Sequence, residues 1–270
     1  MSINKSTIDY LQDSILFPAT GRKGGTLNIV TGCRHYVTGA CNVMDCYAYR
    51  MVVNGRLKGH KSYPYGFEPT FHAGRVEMIC GKPKLIFLND MGDVGGDWDW
   101  KHPLEYDFTE ESRTSPEVIA DEMRKFALFN PGHIILLLTK NPAWYRFAEW
   151  PENVWCGFSA TNNEELIERS LALAKFDPDM RRLWISCEPW LDNDPPIINN
   201  ARWLVIGGLS GPNAKPVSDA TMDWIYDETV RAKRFTKDNA FPKGEEWRDK
   251  IGAFMGIPPR EYPEAWRIEK

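Results

Sequence analysis

No stretch of about 18 consecutive apolar residues occurs in the chain, so nothing in it reads as a membrane-spanning helix. The first residues, MSINKSTIDYLQDSILF, lack a basic region followed by an apolar core and a small-residue cleavage site. They therefore do not read as a signal peptide, and the cytoplasm is the expected location. Basic charge is not in excess: 33 Lys and Arg stand against 37 Asp and Glu, a net charge of −4. That balance argues against a nonspecific nucleic-acid coat, which needs a broad basic surface, while leaving room for a local basic patch. Linker-like shifts in composition and internal repeats are also missing. The expectation is one domain over residues 1–270, with terminal arms at 1–24 and 240–270. Cysteine is scarce, yet three of the six fall within fourteen residues, at Cys33, Cys41 and Cys46. In a reducing compartment such clustering favours metal or redox chemistry over disulfides.

What is present supports a folded domain. The 270 residues are 43% hydrophobic and 26% charged, a length and composition normal for a single α/β barrel. Six short apolar runs have strand length: Leu27–Thr31, Leu85–Leu88, Ile134–Thr139, Val154–Phe158, Leu183–Cys187 and Trp203–Gly207. Their near-continuous hydrophobicity suits a parallel sheet covered on both faces. Arg234–Lys237 is a possible seventh strand. Helical patterns alternate with them, at Pro116–Phe129 after a capping Ser115, at Asn162–Lys175 with an acidic first turn, and at Asp219–Ala232. Strand–helix alternation predicts an α/β fold, a partial or distorted (β/α) TIM-type barrel with six to seven parallel strands; an open doubly wound sheet is the other arrangement it permits.

In such sheets chemistry gathers at the carboxyl ends of the strands. After the first run come the three cysteines, and after the second Asn89-Asp-Met-Gly-Asp93. Thr139-Lys140-Asn141 follows the third, Ser159 to Asn162 the fourth, Glu188-Pro189 the fifth, and Gly207-Gly208 the sixth. Every one is polar, charged or glycine-bearing.

Iron–sulfur clusters are held by cysteine thiolates, and a [4Fe–4S] cluster with three protein ligands keeps one iron for a small molecule. The competing interpretation is a structural zinc site completed by His35, Asp45 or His60, although C-x7-C-x4-C lacks the closely spaced cysteine pairs usual for zinc.

The triad after the first strand, followed by Tyr47-Ala48 and Arg50, resembles the radical-SAM superfamily, whose usual spacing is C-x3-C-x2-C. Further blocks resemble, in order, a phage and prokaryotic radical-SAM-like family with a three-cysteine motif. They are Thr31-Gly-Cys33 with Cys46-Tyr-Ala48, Phe87-Leu-Asn89 with Met91 and Asp93, Leu138-Thr-Lys140 with Pro142, Asn153-Val-Trp155 with Gly157 and Ser159, Ser186-Cys-Glu-Pro189 with Leu191, Val205-Ile-Gly-Gly208 with Ser210-Gly-Pro212, and Phe235-Thr-Lys237. Residues 28–237 carry the likeness. Val43 and Met44 look like an insertion relative to that family, and Leu209 stands where a glutamate is usual. The resemblance implies a [4Fe–4S] cluster on Cys33, Cys41 and Cys46, with S-adenosylmethionine on its open iron. One electron then cleaves a carbon–sulfur bond. It also implies an electron donor of the flavodoxin or ferredoxin type and leaves the substrate open. In radical-SAM barrels the Asn89, Met91 and Asp93 region supports the methionine end of the cofactor.

Each candidate has a plainer explanation beside it. Asn89, Gly92 and Asp93 are turn formers for backbone reasons alone. Lys140 can pair with a carboxylate or phosphate, or face solvent. Ser159 and Asn162 can hydrogen-bond a ribose, yet Asn162 is equally a helix cap. Glu188 is either a ligand contact or the partner of a nearby cation. Gly207 and Gly208 allow close approach of a ligand, or simply a turn at positive φ. Cys156 and Cys187 read as core residues and Cys80 has no assigned role. Basic residues from Arg50 to Lys61, with Tyr63, Tyr65 and Phe67 just after, form either a nucleic-acid face or a solvated loop. The alternatives are therefore a zinc-stabilised, non-catalytic nucleic-acid-binding protein and a magnesium hydrolase using Asp90, Asp93 and Glu188.

Overall fold

A computed structural model describes residues 4–5, 8, 11, 24–35, 46–77, 79, 84–96, 100, 114–176, 182–198, 201–210, 213–227, 233–241, 261 and 266. Cys41, Asp45 and Cys80 lie outside these residues, as do most of both arms, Gly211, Pro212 and the expected helix end at 228–232. Two compact units are present: residues 1–6 with 24–155, and residues 7–23 with 156–270.

In the first unit β1 (Asn4–Lys5) pairs antiparallel with β2 (Gly25–Leu27), and β2 runs parallel to β5 (Leu85–Leu88), itself parallel to β6 (Ile134–Thr139). A separate antiparallel ribbon joins β3 (Val30–Thr31) to β4 (Thr70–Phe71). In the second unit β7 (Val154–Ser159), which begins in the first, runs parallel to β8 (Leu183–Cys187). Parallel pairing continues from β8 to β9 (Trp203–Ile206) and from β9 to β10 (Lys233–Thr236). The fold is thus α/β, with seven parallel strands and the strand–helix topology of a partial TIM-type barrel. Every residue of β5, β8 and β9 is buried, as continuous apolar strands require.

Four helices are described: α1 (Tyr47–Val53), α2 (Pro116–Phe129), α3 (Asn163–Ala174) and α4 (Asp219–Tyr226). Ser115, Asn162 and Ser218 cap the last three by accepting from the backbone N–H three residues on, a contact worth about 1 kcal/mol each. Helix α2 buries Ile119, Ala120, Met123, Phe126 and Ala127, one stripe at helical period.

Helix α4 stops at Tyr226, Asp227 being extended, short of the expected end, and the first strand departs further from the sequence pattern. Leu27–Thr31 is not a continuous strand. The Asn89 Oδ1 accepts from both Ile29 N and Val30 N at 2.9 Å, removing those donors from the main ladder. The Asn28 side chain bridges Asp90 Oδ1 (2.7 Å) and Met91 N (3.0 Å). The chain leaves β2 at Leu27 and re-pairs at Val30 with the ribbon. Strand β10 also starts one residue earlier and ends one earlier than expected.

Candidate functional site

In the first unit the loop after β5 organises everything around it. Asn89 has a positive φ of 65°, a left-handed turn that asparagine tolerates, and its amide group then reaches back to β3. Gly32 adopts φ 73° and donates to Met91 O at 2.9 Å. A β-carbon on Gly32 would collide with the carbonyls of Phe67 and Glu68, so the residue before Cys33 has to be glycine. These contacts seat Cys33 against the end of β5. Cys33 and Met91 are both buried in one hydrophobic cluster, and Cys46 packs against that cluster. Cys46 also caps α1, its Sγ accepting from Tyr49 N at 3.4 Å.

Asp93 is the electrostatic centre of this loop. Its Oδ1 accepts from the Gly95 N–H (2.8 Å) and the Thr139 hydroxyl (2.6 Å). Its Oδ2 accepts from His35 Nε2 and from the Lys140 N–H, each at 2.9 Å. Burial pushes the Asp93 carboxyl up, but the His35 hydrogen bond and charge, with the Thr139 and Gly95 bonds, outweigh it and hold the group below its ordinary value. Asp93 therefore joins the cysteine loop, through His35, to the end of β6. With both oxygens serving protein donors, its geometry is that of a positioning group. Lys140 is fixed at its backbone by Asp93, while its ammonium has no ion-pair partner among the described residues.

Asp90, beside it, is raised by burial, an effect partly offset by hydrogen bonds from Asn28 and Thr26. Tyr63 is pushed up to about 12, by burial first and then by the Asp90 charge. Tyr63 and Phe67 are only 7% and 5% exposed, so two of the three aromatics following the basic stretch face the core.

In the second unit the ends of β8, β9 and β10 meet. Glu188 Oε1 lies 2.7 Å from Lys237 Nζ, and Ser186 Oγ donates to Glu188 Oε2 at 3.1 Å. Both members of the pair are about one-fifth exposed (19% and 21%), so the charges are substantially screened from water by protein. Gly207 and Gly208 are not at positive φ. They are glycine for room: a β-carbon on Gly207 would sit 2.7 Å from Asn239 Oδ1 and 3.3 Å from Glu188 Oε1. Asn239 donates to Gly208 O at 2.7 Å, while its buried Oδ1 has no hydrogen-bond partner among the described residues.

Of the residues predicted from sequence, Cys33, Asn89, Met91, Asp93 and Lys140 belong to the first constellation, and Glu188, Gly207 and Gly208 to the second. Asn162 is the cap of α3, accepting from Glu165 N at 2.9 Å. Ser159 is buried, and its carbonyl accepts from Arg169. Cys187 is fully buried, and burial pushes its thiol up. Among the described residues no three His, Cys, Asp or Glu side chains converge on a metal position, and Cys41 is not among those residues. Sequence reasoning did not foresee the Asp93 contacts of His35 and Thr139, nor the bridging role of Asn28. The one available signal was Asn28 itself, a lone amide inside an apolar run.

Fold and constellations together define an α/β protein of partial-barrel type with polar groups at its strand ends. The chain belongs to the DUF5131 family, described as proteins of unknown function, whose profile matches residues 22–241. No curated protein and no solved structure matches it.

Proposed function

We propose that this chain is a radical S-adenosylmethionine enzyme of the cytoplasm, with Cys33, Cys41 and Cys46 as ligands of a [4Fe–4S] cluster. The observation that carries the proposal is the common seat of Cys33, Cys46 and Met91. Cysteines thirteen positions apart pack with Met91, in the loop three residues beyond β5, in one hydrophobic cluster. Thiol donors of this kind suit iron–sulfur ligation. When bound, the cluster would supply one electron for cleavage of a carbon–sulfur bond in S-adenosylmethionine, drawn from a flavodoxin- or ferredoxin-type donor.

The chain's own residues then have defined tasks. Gly32 and Met91 hold Cys33 through a backbone bond. Asp93 fixes His35 and Lys140. The Lys140 ammonium is available to a carboxylate or phosphate. In the second unit Glu188 and Lys237 present a matched charge pair beside two glycines. Asn89, Ser159, Asn162, Gly207 and Gly208 act here by shaping the backbone. The hydrolase alternative weakens on the same geometry, because Asp93 spends four acceptor positions on protein donors and Glu188 is paired with Lys237. In the zinc alternative His35 would ligate through Nδ1, because Nε2 is bonded to Asp93.

Anaerobic reconstitution tests the reading. The protein should take up iron and sulfide, turn brown, and form 5′-deoxyadenosine from S-adenosylmethionine with dithionite. Cys41→Ala should abolish both cluster and product. A colourless protein with stoichiometric zinc, or product formation that survives alanine at all three cysteines, would refute it.

A further inference from the structure

Between Asp45 and Glu68 the chain contains no acidic residue, although the whole protein carries a net charge of −4. The same stretch holds Arg50, Arg56, Lys58, His60 and Lys61. Arg56, Lys58, His60 and Lys61 are exposed, and among the described residues none of the four forms an ion pair. These cations sit on an ordered knuckle. Backbone bonds from Leu57 N to Met51 O, Lys58 N to Gly55 O, His60 N to Leu57 O and Tyr63 N to His60 O wind it into successive turns. Gly59, at φ 71°, makes one of them possible. Leu57 packs against the cluster that contains Cys33 and Met91, and Tyr63 belongs to it. The neighbours of Leu57, Arg56 and Lys58, are thereby left on the outside. Cys46 caps the near end of α1 and the knuckle follows the far end. Seven helical residues span about 10 Å.

We propose that the knuckle at residues 56–61 is the docking surface for a small acidic one-electron carrier protein. The proposal rests on the radical reading above and names where its electron enters. With the cluster bound, one electron would pass to it from the carrier's reduced prosthetic group, which would end one electron more oxidised, with no bond made or broken and no proton moved. Two observations favour a protein over a nucleic acid. Two of the three rings that follow the basic stretch, Tyr63 and Phe67, are turned into the core, which limits base stacking there. The knuckle also shares that core with two of the cysteines, which gives a redox partner a reason to bind here. A cationic face on an acidic protein steers an acidic partner to one place and repels it elsewhere.

The test uses the full chain and the triple variant Arg56→Glu, Lys58→Glu, Lys61→Glu, with Lys58→Gln, Lys61→Gln as a milder second variant should the first fold poorly. Binding of a recombinant flavodoxin and of a plant-type ferredoxin is titrated directly at low and high salt. Cleavage of S-adenosylmethionine is measured with reduced flavodoxin and, separately, with dithionite. The expected result is carrier binding by the wild type that weakens with salt. The triple variant should bind at least about tenfold more weakly, the scale expected when steering charges are reversed. Its dithionite-driven turnover and iron content should be unchanged. Equal carrier binding by wild type and variants overturns the proposal. So does wild-type binding of a nucleic-acid duplex, lost in the triple variant, without carrier binding. Failure of dithionite-driven cleavage in the wild type overturns the radical reading and this surface's role with it, whereas failure of carrier binding alone leaves the radical reading standing.

Discussion

Acidification should destabilise the first unit through one histidine. His72 precedes the 3₁₀ turn Ala73–Arg75, is buried beside the β3–β4 ribbon, and places Nε2 2.9 Å from the Thr31 hydroxyl. Burial, aided by the Arg75 guanidinium, lowers its pKa from 6.5 to about 3. As the pH falls through the higher value the unfolded chain binds a proton on this ring, and the folded chain does not until near the lower one. The unfolded state therefore holds more protons throughout the window, so stability falls with pH inside it and is fully present above it. Each pH step is worth about 1.4 kcal/mol, so two pH steps below the unfolded value remove about 2.7 kcal/mol. His72→Gln keeps a hydrogen-bonding group for Thr31 and does not titrate. Urea unfolding of both proteins, followed by far-ultraviolet circular dichroism near neutrality and at about pH 4.5, gives the comparison. Asp90 (raised), Asp93 (lowered) and His133 (lowered) titrate in both and cancel in the difference. The wild type should lose about 2.7 kcal/mol more than the variant on acidification. Parallel pH dependences would show that the ring is protonated in the folded state and would refute the reasoning.

Three further outcomes are expected. Asn89→Ala strands two backbone N–H groups and keeps an unfavourable φ, so thermal unfolding should report a loss of about 2–4 kcal/mol, with Asn89→Gly recovering only the conformational part. Gly32→Ala cannot be accommodated against Phe67 and Glu68, and the variant, if soluble, should incorporate less iron on reconstitution; full iron content would show that the Cys33 loop does not need this seat. For the Glu188–Lys237 pair, a double-mutant cycle with Glu188→Gln and Lys237→Met should return a coupling energy of about 1–3 kcal/mol, and additivity of the two changes would mean the pair is no more than a surface contact.

Three of the four described helices were legible, because their signals are local; α1, capped by a cysteine, was not. Ser115-Pro116 announces α2 with a cap and a pre-set first residue, and the acidic first turn announces α3. Buried parallel strands were legible as unbroken apolar runs. The break in Leu27–Thr31 was not, because its cause, the Asn89 amide, lies about sixty positions downstream and only the lone amide Asn28 marks the place locally. Glu188 was recognisable as a carboxylate in need of a partner. Naming Lys237 required knowing that the ends of β8 and β10 come within 2.7 Å contact, a fact of topology rather than of local sequence. The bond between His35 Nε2 and Asp93 was equally invisible, because it joins positions fifty-eight residues apart.

The Asp93 carboxylate has a kinetic corollary. Its four donors come from three stretches of chain distant in sequence, and a buried anion missing even one is left with an uncompensated desolvation penalty. Partly assembled arrangements of the histidine segment, the loop beyond β5 and the start of the Lys140 turn are correspondingly scarce. The whole corner should lock or come apart in one step, so the population able to receive a prosthetic group is governed by a single on–off equilibrium.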